Sequence, residues 1–475
     1  MDEIVCGETL CCDYRVICLD KVALSDLVLI LFSRNIEKIG FVESPQGAEE
    51  SFRHRFFIVV SVMVQKFLQA VKKPLKSIGS AFEYWLNLVS CNQNLGVLLL
   101  NILREKVIYP RDISSTFLST IANLDPRLGL VRNSADSKYY GALSMMASKI
   151  SYENEAYIEA TVTNQWKMEY MRFGQDFWNV YLGRSSTQAF MLRDRNAGSD
   201  MYVVAFRGTE LFNADDWCSD FDISWYELGD TGKIHAGFLK AIGLQKDCKL
   251  PLEIEENNER PVAYYFIRNM LRKLLRQNNQ AKFILTGHSL GGALAVLFPA
   301  ILMLHNEKWM LERLYGVYTF GQPRVGDDVF GEFMKERLNK YGIRYFRYVY
   351  GNDVVPRLPF YDSTLRFKHF GTGLYFNSCY KVKILEEDLD KNFILPQYWI
   401  SMRLVALWEL VRSFGMSYRL GVEYRETLFL VLVRIFGLLV PGIPAHTPPD
   451  YINASRLVPS HVFLRIQNNQ GLKIE

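Results

Sequence analysis

The segment Gly287-His288-Ser289-Leu290-Gly291-Gly292 has the residue types and spacing of a reactive turn. An apolar run, Phe283-Ile284-Leu285, leads into it, and Ala293-Leu294-Ala295-Val296-Leu297 leads out, so a strand is expected to turn sharply into a helix at Ser289. On so tight a turn only small residues fit two places either side of the serine, and the hydroxyl is lifted clear of the sheet edge. A serine held in this way can attack an acyl carbonyl once a base takes its proton. The plainer reading is a glycine-rich loop that only packs strand on helix.

The base needs a carboxylate to orient it, and on strand–turn–helix scaffolds of this kind the chain order is serine, acid, histidine. Asp353 lies in Gly351-Asn352-Asp353-Val354-Val355-Pro356, just past the apolar run Tyr345–Tyr350. A loop at the C-terminal edge of a parallel strand can face the serine. Its alternative is an ordinary turn or cap aspartate. Three of the seven histidines follow Asp353: His369, His446 and His461. His446 sits in the proline-rich stretch Pro441-Gly442-Ile443-Pro444-Ala445-His446-Thr447-Pro448-Pro449, which reads as a loop able to fold over the sheet edge. His461 lies in an alternating apolar run that reads as a terminal strand. The apolar run Met201–Phe206 leads into Arg207-Gly208-Thr209-Glu210. Its Thr209 N–H, with that of Leu290, would form an oxyanion hole, each donor contributing about 3 kcal/mol in the transition state.

The elements that must position these residues alternate between strand and helix patterns from about 136 to 377. Thr187–Arg193 and Met201–Phe206 read as strands joined by a turn containing Asn196 and Gly198. Val262–Arg276 has Ile267, Met270, Leu271, Leu274 and Leu275 at helical spacing, with Arg and Lys opposite. Short buried runs at 283–285, 315–320 and 345–350 predict a largely parallel sheet covered on both faces. The expected fold class is α/β.

Together these blocks resemble the fungal-type, or class 3, lipase family. The resemblance is carried by Phe206-Arg207-Gly208-Thr209, His235-Ala236-Gly237-Phe238, the serine turn, Thr319-Phe320-Gly321-Gln322-Pro323-Arg324-Val325-Gly326 and Asp353–Pro359, in that order. It implies an α/β-hydrolase fold with an apolar N-terminal region and a helical insertion before the catalytic histidine. It also implies Ser289, Asp353 and His446 as the triad, Thr209 and Leu290 as the oxyanion hole, and neither cofactor nor metal. A lid would map to about Leu211–Trp225. His235 and Gly237 resemble a structural element of the family, as does Lys368-His369-Phe370-Gly371, and Asp450-Tyr451 resembles the end of its catalytic segment. The likeness extends to the plant oil-body triacylglycerol lipases, which carry apolar sequence before the domain and between acid and histidine. It implies acylglycerol substrates and a lipid-droplet surface facing the cytosol; a phospholipase or galactolipase on membrane lipids, or a non-catalytic droplet protein, are the other readings.

The 475 residues, 49% of them hydrophobic, suit a large core with additions. The net charge of +4 offers no support for nucleic-acid binding. Met1-Asp2-Glu3 lacks the basic start of a secretory signal. Two regions fall outside the α/β pattern: 1–130, and an insertion at about 381–440 within a hydrolase domain at 131–475. In the first, Phe56–Val71 is apolar but broken by Gln65 and Lys66, with basic flanks at Arg53, Arg55, Lys72, Lys73 and Lys76. That pattern predicts a helix lying at a lipid surface, short of the length that spans one. In the second, Tyr398–Phe414 and Leu428–Val440 are apolar around Arg403, Glu409, Arg412 and Arg434, which predicts amphipathic helices packed on the domain or dipped into lipid.

Overall fold

The computed structural model describes residues 9–32, 40–44, 52–130, 136–172, 176–195, 200–210, 213–255, 257, 259–359, 365–385, 398–421, 424, 426–463 and 466. Eight strands of the main sheet follow one another in space in chain order: β1 (Glu169–Met171), β2 (Arg184–Asp194), β3 (Met201–Phe206), β4 (Lys282–His288), β5 (Leu314–Phe320), β6 (Arg344–Tyr350), β7 (Thr372–Phe376) and β8 (Val382–Leu385); a ninth, Asp176–Asn179, pairs antiparallel with β2 off this path. From β3 to β7 every pairing is parallel, and β1, β2 and β8 close the two edges antiparallel. The strands expected at 187–193, 201–206, 283–285, 315–320 and 345–350 are present, all but Met201–Phe206 extended by one to three residues at an end, whereas the terminal strand expected around His461 is not formed. The proposed Asn196–Gly198 turn lies outside the described residues.

The described helices include α1 (Phe52–Cys91), α2 (Asp136–Ile150), α3 (Ala214–Phe221), α4 (Ala263–Gln277), α5 (Leu290–Leu304), α6 (Trp399–Ser413), α7 (Leu428–Gly437) and α8 (Pro448–Leu457). Successive side chains of a strand point to opposite faces, and here both faces are apolar. Phe283 and Leu285 join Ile267 of α4 and Ala293 of α5 in one core, while Ile284 joins Leu143 of α2 and Ile452 of α8 in the other. This double burial is why the strands read as continuous apolar runs rather than alternating ones.

The N-terminal region is woven into the domain rather than set beside it. Residues Thr9–Ile17 pair antiparallel with Trp225–Leu228, and Arg127 donates to Asn453 of α8 at 2.7 Å. The apolar run Phe56–Val71 is only the first half of α1, whose 40 residues make a rod of about 60 Å. Among the described residues, α1 is long and apolar enough to cross a membrane by length and composition, which corrects the shorter reading. The polar residues that interrupted the run face inward and are satisfied there. Gln65 donates to the Ser61 hydroxyl at 3.0 Å, and Lys66 to the Val22 carbonyl at 2.8 Å. Phe52, Phe56, Met63, Phe67, Ile78 and Trp85 are exposed along the opposite stripe.

Candidate active site

Ser289 stands between β4 and α5 with φ 59° and ψ −133°, a conformation that costs a non-glycine residue about 1–3 kcal/mol. The neighbouring glycines make that turn possible. A Cβ on Gly287 would lie 2.1 Å from the Gly291 backbone, and one on Gly291 would lie 2.2 Å from the Phe206 carbonyl. The Ser289 N–H donates to the Phe320 carbonyl at 2.9 Å, which ties the turn to β5.

The structure brings Ser289, His446 and Asp353 into one hydrogen-bonded chain. Ser289 Oγ lies 2.8 Å from His446 Nε2, and His446 Nδ1 lies 2.8 Å from Asp353 Oδ2. With the proton on Nδ1, the imidazole donates to the carboxylate and accepts from the serine hydroxyl. Asp353 is fully buried; its Oδ1 accepts from the Val355 N–H at 2.9 Å, and its Oδ2 also accepts from the Tyr451 hydroxyl. Gly321, at φ 58°, leaves the space: a Cβ there would come within 3.0 Å of both Asp353 Oδ2 and His446 Nδ1.

The acid loop is held from below by the other sequence blocks. Arg357 donates to the carbonyls of Asp353 and Gly351, and Arg324 to those of Arg357 and Pro359 at 2.8 and 2.9 Å. His369 lies outside the chain of three. Its Nε2 lies 2.6 Å from the Pro356 carbonyl, and burial, with Arg347 and Arg324 nearby, holds its pKa well below the usual value. His461 is exposed in a helical turn, not a strand. His235 is buried against Phe238 and bonds the Asp222 carbonyl, and burial lowers its pKa to about 4.

Two features of the His446 segment differ from the sequence expectation. His446 ends a short 3-10 turn, Pro444–His446, and the stretch after it opens α8 instead of continuing as loop. Pro448 and Pro449 sit in the first turn of α8, where a missing N–H costs nothing because that turn has no carbonyl to bond. Helix α8 then delivers Tyr451 to Asp353.

Sequence reasoning missed the support behind the base. His288 is buried; its Nε2 lies 2.8 Å from the His446 carbonyl, and its Nδ1 2.8 Å from the Tyr152 hydroxyl. Burial, with His446 beside it, holds the His288 pKa well below the usual value, so the ring is neutral: it donates from Nε2 and accepts from Tyr152. His288 was visible as a member of the turn, but nothing local in the sequence tied it to Tyr152.

The loop after β3 comes up against the serine. A Cβ on Gly208 would lie 3.0 Å from that of Ser289, so Thr209 follows the point of closest approach and is itself buried. Arg207 pins the loop by donating to Gln188 and pairing with Glu210, both at 2.6 Å. Leu290 opens α5, so its N–H is one of the first-turn donors that have no partner within the helix. A cavity of about 290 Å³ adjoins this loop, lined by Tyr152, Glu210 and Asn213 together with Lys72, Lys76 and Glu83 of α1. The N-terminal helix therefore shares a cavity wall with the loop after β3, although none of Ser289, His446 and Asp353 lines that cavity.

Residues 214–221 of the expected lid form α3, which packs on α1: the Ser61 hydroxyl donates to the Phe221 carbonyl at 2.7 Å. Leu211 and Phe212 lie outside the described residues. Ile223 and Trp225 are buried against Ile58, Val59 and Val62 of α1, so the end of the expected segment is fixed in the body of the protein.

A carbonyl carbon placed against Ser289 Oγ would meet an imidazole already bonded to a buried carboxylate. This is the arrangement for acyl transfer through a serine ester. The model of the family described as Lipase (class 3) matches residues 203–363. The chain is 40% identical over 469 residues to "Triacylglycerol lipase OBL1" of Arabidopsis thaliana, covering 89% of this chain and 90% of that protein. The protein of the same name from Nicotiana tabacum is 39% identical, with 85% and 83% covered. Among solved structures, the lipase from Rhizopus microsporus var. chinensis matches 59% of this chain and 93% of its own at 21% identity and a TM-score of 0.41. Identity at that level over nine-tenths of a plant relative places the protein: it belongs to the class 3 lipase family.

Proposed function

We propose that the protein hydrolyses the ester bonds of triacylglycerol, and of the di- and monoacylglycerols that result, at the surface of lipid droplets. The observation that carries this reading is the Asp353–His446–Ser289 chain, with both links at 2.8 Å. Ser289 Oγ attacks the ester carbonyl while His446 Nε2 takes its proton. The backbone N–H groups of Leu290 and Thr209 receive the oxyanion. His446 returns the proton to the departing glyceride oxygen, leaving an acyl ester on Ser289. Water, deprotonated by His446, then releases the fatty acid and restores the serine. Asp353, acting with Tyr451, holds the imidazole in the right tautomer and stabilises its charged form.

The choice of triacylglycerol rests on the names of the plant relatives, and attachment to a droplet is supported by the exposed apolar stripe of α1. Hydrolysis of emulsified triolein, phosphatidylcholine and galactolipid by the purified protein, with Ser289→Ala as control, tests it. Triolein is expected to be cleaved fastest. Faster release from either polar lipid would overturn the substrate assignment.

A further inference from the structure

The insertion helices α6 and α7 are built inside out. In α6, Trp399, Ile400, Leu404, Leu407, Trp408 and Val411 are exposed, while Glu409 and Arg412 are buried. Of the three charged residues in α6, only Arg403 faces outward. In α7, Leu428, Leu432, Ile435 and Phe436 are exposed and the single charged residue, Arg434, is buried. A helix on a protein surface facing water carries its apolar stripe inward. Reversal on two helices that pack on each other means that the outward side meets something apolar.

The inward charges account for one another. Arg434 donates to Glu426 at 2.6 Å and to Asp450 at 3.0 Å; Arg412 donates to Asp450 at 2.9 Å; Tyr350 donates to Glu409 at 2.9 Å. Burial opposes ionisation of Asp450, but Arg434 and Arg412 outweigh it and hold the carboxyl below its usual range. The cluster bolts the insertion to α8, one residue before Tyr451, and to the end of β6, three residues before Asp353.

The outward faces run on toward the His446 turn and toward α1. Helix α7 runs by way of Leu439 and Val440, both exposed, into the Pro444–His446 turn. Its Leu430 packs on Tyr152, and Phe429 meets Phe82 of α1 with ring centroids 5.5 Å apart. We propose that α6 and α7 form, with the outer stripe of α1, one docking surface that seats in the acyl layer of a phospholipid-coated neutral-lipid surface and brings the mouth flush against it. A lipid layer, rather than a second copy, is the occupant because the site at its centre must receive esters from a lipid phase. In that respect the inference rests on the lipase reading. Both tryptophans on α6 suit the interface, where an apolar ring with a polar N–H is favoured.

Flotation of the full-length protein with phosphatidylcholine-coated triolein droplets tests this. Leu404→Glu/Val411→Glu/Leu432→Glu is expected to cut droplet-bound protein at least fivefold and triolein hydrolysis with it, leaving cleavage of dissolved p-nitrophenyl butyrate unchanged. Unchanged flotation of a variant that still cleaves the dissolved ester overturns the proposal, as does a change from dimer to monomer with flotation intact. Should the triple variant not fold, brominated phosphatidylcholine on the droplets gives the answer. Tryptophan fluorescence of the unaltered protein is expected to be quenched, and the quenching to fall in Trp399→Phe/Trp408→Phe; equal quenching in both overturns it. If the unaltered protein cleaves no dissolved ester, the lipase reading fails while flotation still reports on docking.

Discussion

Helices α4 and α6 each span 15 residues and each has one apolar and one polar side, yet they face opposite ways. Helix α4 buries Ile267, Leu271, Leu274 and Leu275 against the sheet and leaves Lys273 and Arg276 exposed. Its one buried cation, Arg268, reaches out to Glu253 near the surface. Helix α6 buries Glu409 and Arg412 and exposes Leu404 and Leu407. What differs is the surface beneath. The sheet meets α4 with an apolar cluster, whereas α8 and the end of β6 offer α6 the Asp450 carboxylate and the Tyr350 hydroxyl. Amphipathic spacing thus says that a helix has two sides, and the partner decides which side is in.

The largest effect should separate chemistry from scaffold altogether. Ser289→Ala is expected to lower turnover by about a millionfold on dissolved and emulsified esters alike, without a change in the unfolding midpoint. A fluorophosphonate should label Ser289 and nothing else; labelling at another residue would break the assignment.

The next effect compares the two buried arginines. Arg434→Leu leaves Glu426 buried without its cation and Asp450 with Arg412 alone, and removal of one partner from such a cluster costs about 3–5 kcal/mol. Arg268→Leu leaves Glu253, whose side chain is 57% exposed, still paired with Arg272 and open to water. Urea unfolding is expected to show a clearly larger loss for Arg434→Leu. Equal losses would mean that the insertion cluster is no tighter than a surface pair.

Acid should separate the same regions. Burial lowers the pKa of His235 and of His305 to about 4, against 6.5 for a free imidazole. A depressed folded-state pKa gives stability that is present above 6.5 and lost as pH falls from 6.5 toward 4, because the unfolded chain takes up protons that the folded one refuses. Each ring therefore costs about 2 kcal/mol by pH 5. The Asp450 carboxyl, held below its usual range, keeps its charge through that window. Urea midpoints measured between pH 7 and pH 5 should fall, and His305→Gln should flatten the slope. A flat profile in the unaltered protein would contradict the assignment of buried neutral rings.

Much of this was legible in the sequence where the constraint is local. The serine turn needs Gly287 and Gly291 within a few residues of the nucleophile, so its signature is contiguous. Each parallel strand announces itself as an apolar run because both its faces are covered. His446 could be singled out because prolines disfavour helix and sheet around it, although the same prolines also start α8. What could not be read are relations across the chain. Tyr152 meets His288, and Arg434 meets Asp450, only after the sheet has formed. Helix α1 read as too short because Gln65 and Lys66 look like interruptions until the partners they face are known.

The smallest effect bears most directly on which side is in. Leu404 is 62% exposed on α6, and Lys273 is exposed on α4. Neither side chain is packed, so Leu404→Lys and Lys273→Leu should each change folding stability by no more than about 0.5 kcal/mol, the range for surface substitutions away from special features. Their consequences should part elsewhere, since Leu404→Lys places a charge in the face proposed to meet lipid and Lys273→Leu adds one apolar group to a face that stays in water. Urea unfolding in the absence of lipid isolates the folding term. If Leu404→Lys costs about 2 kcal/mol or more there, well beyond that surface range, Leu404 is packed against the protein, and α6 would be an ordinary surface helix whose apolar side faces the core. If both swaps are neutral, the outward leucines contribute nothing to folding, and their retention on two neighbouring helices calls for a role outside the protein.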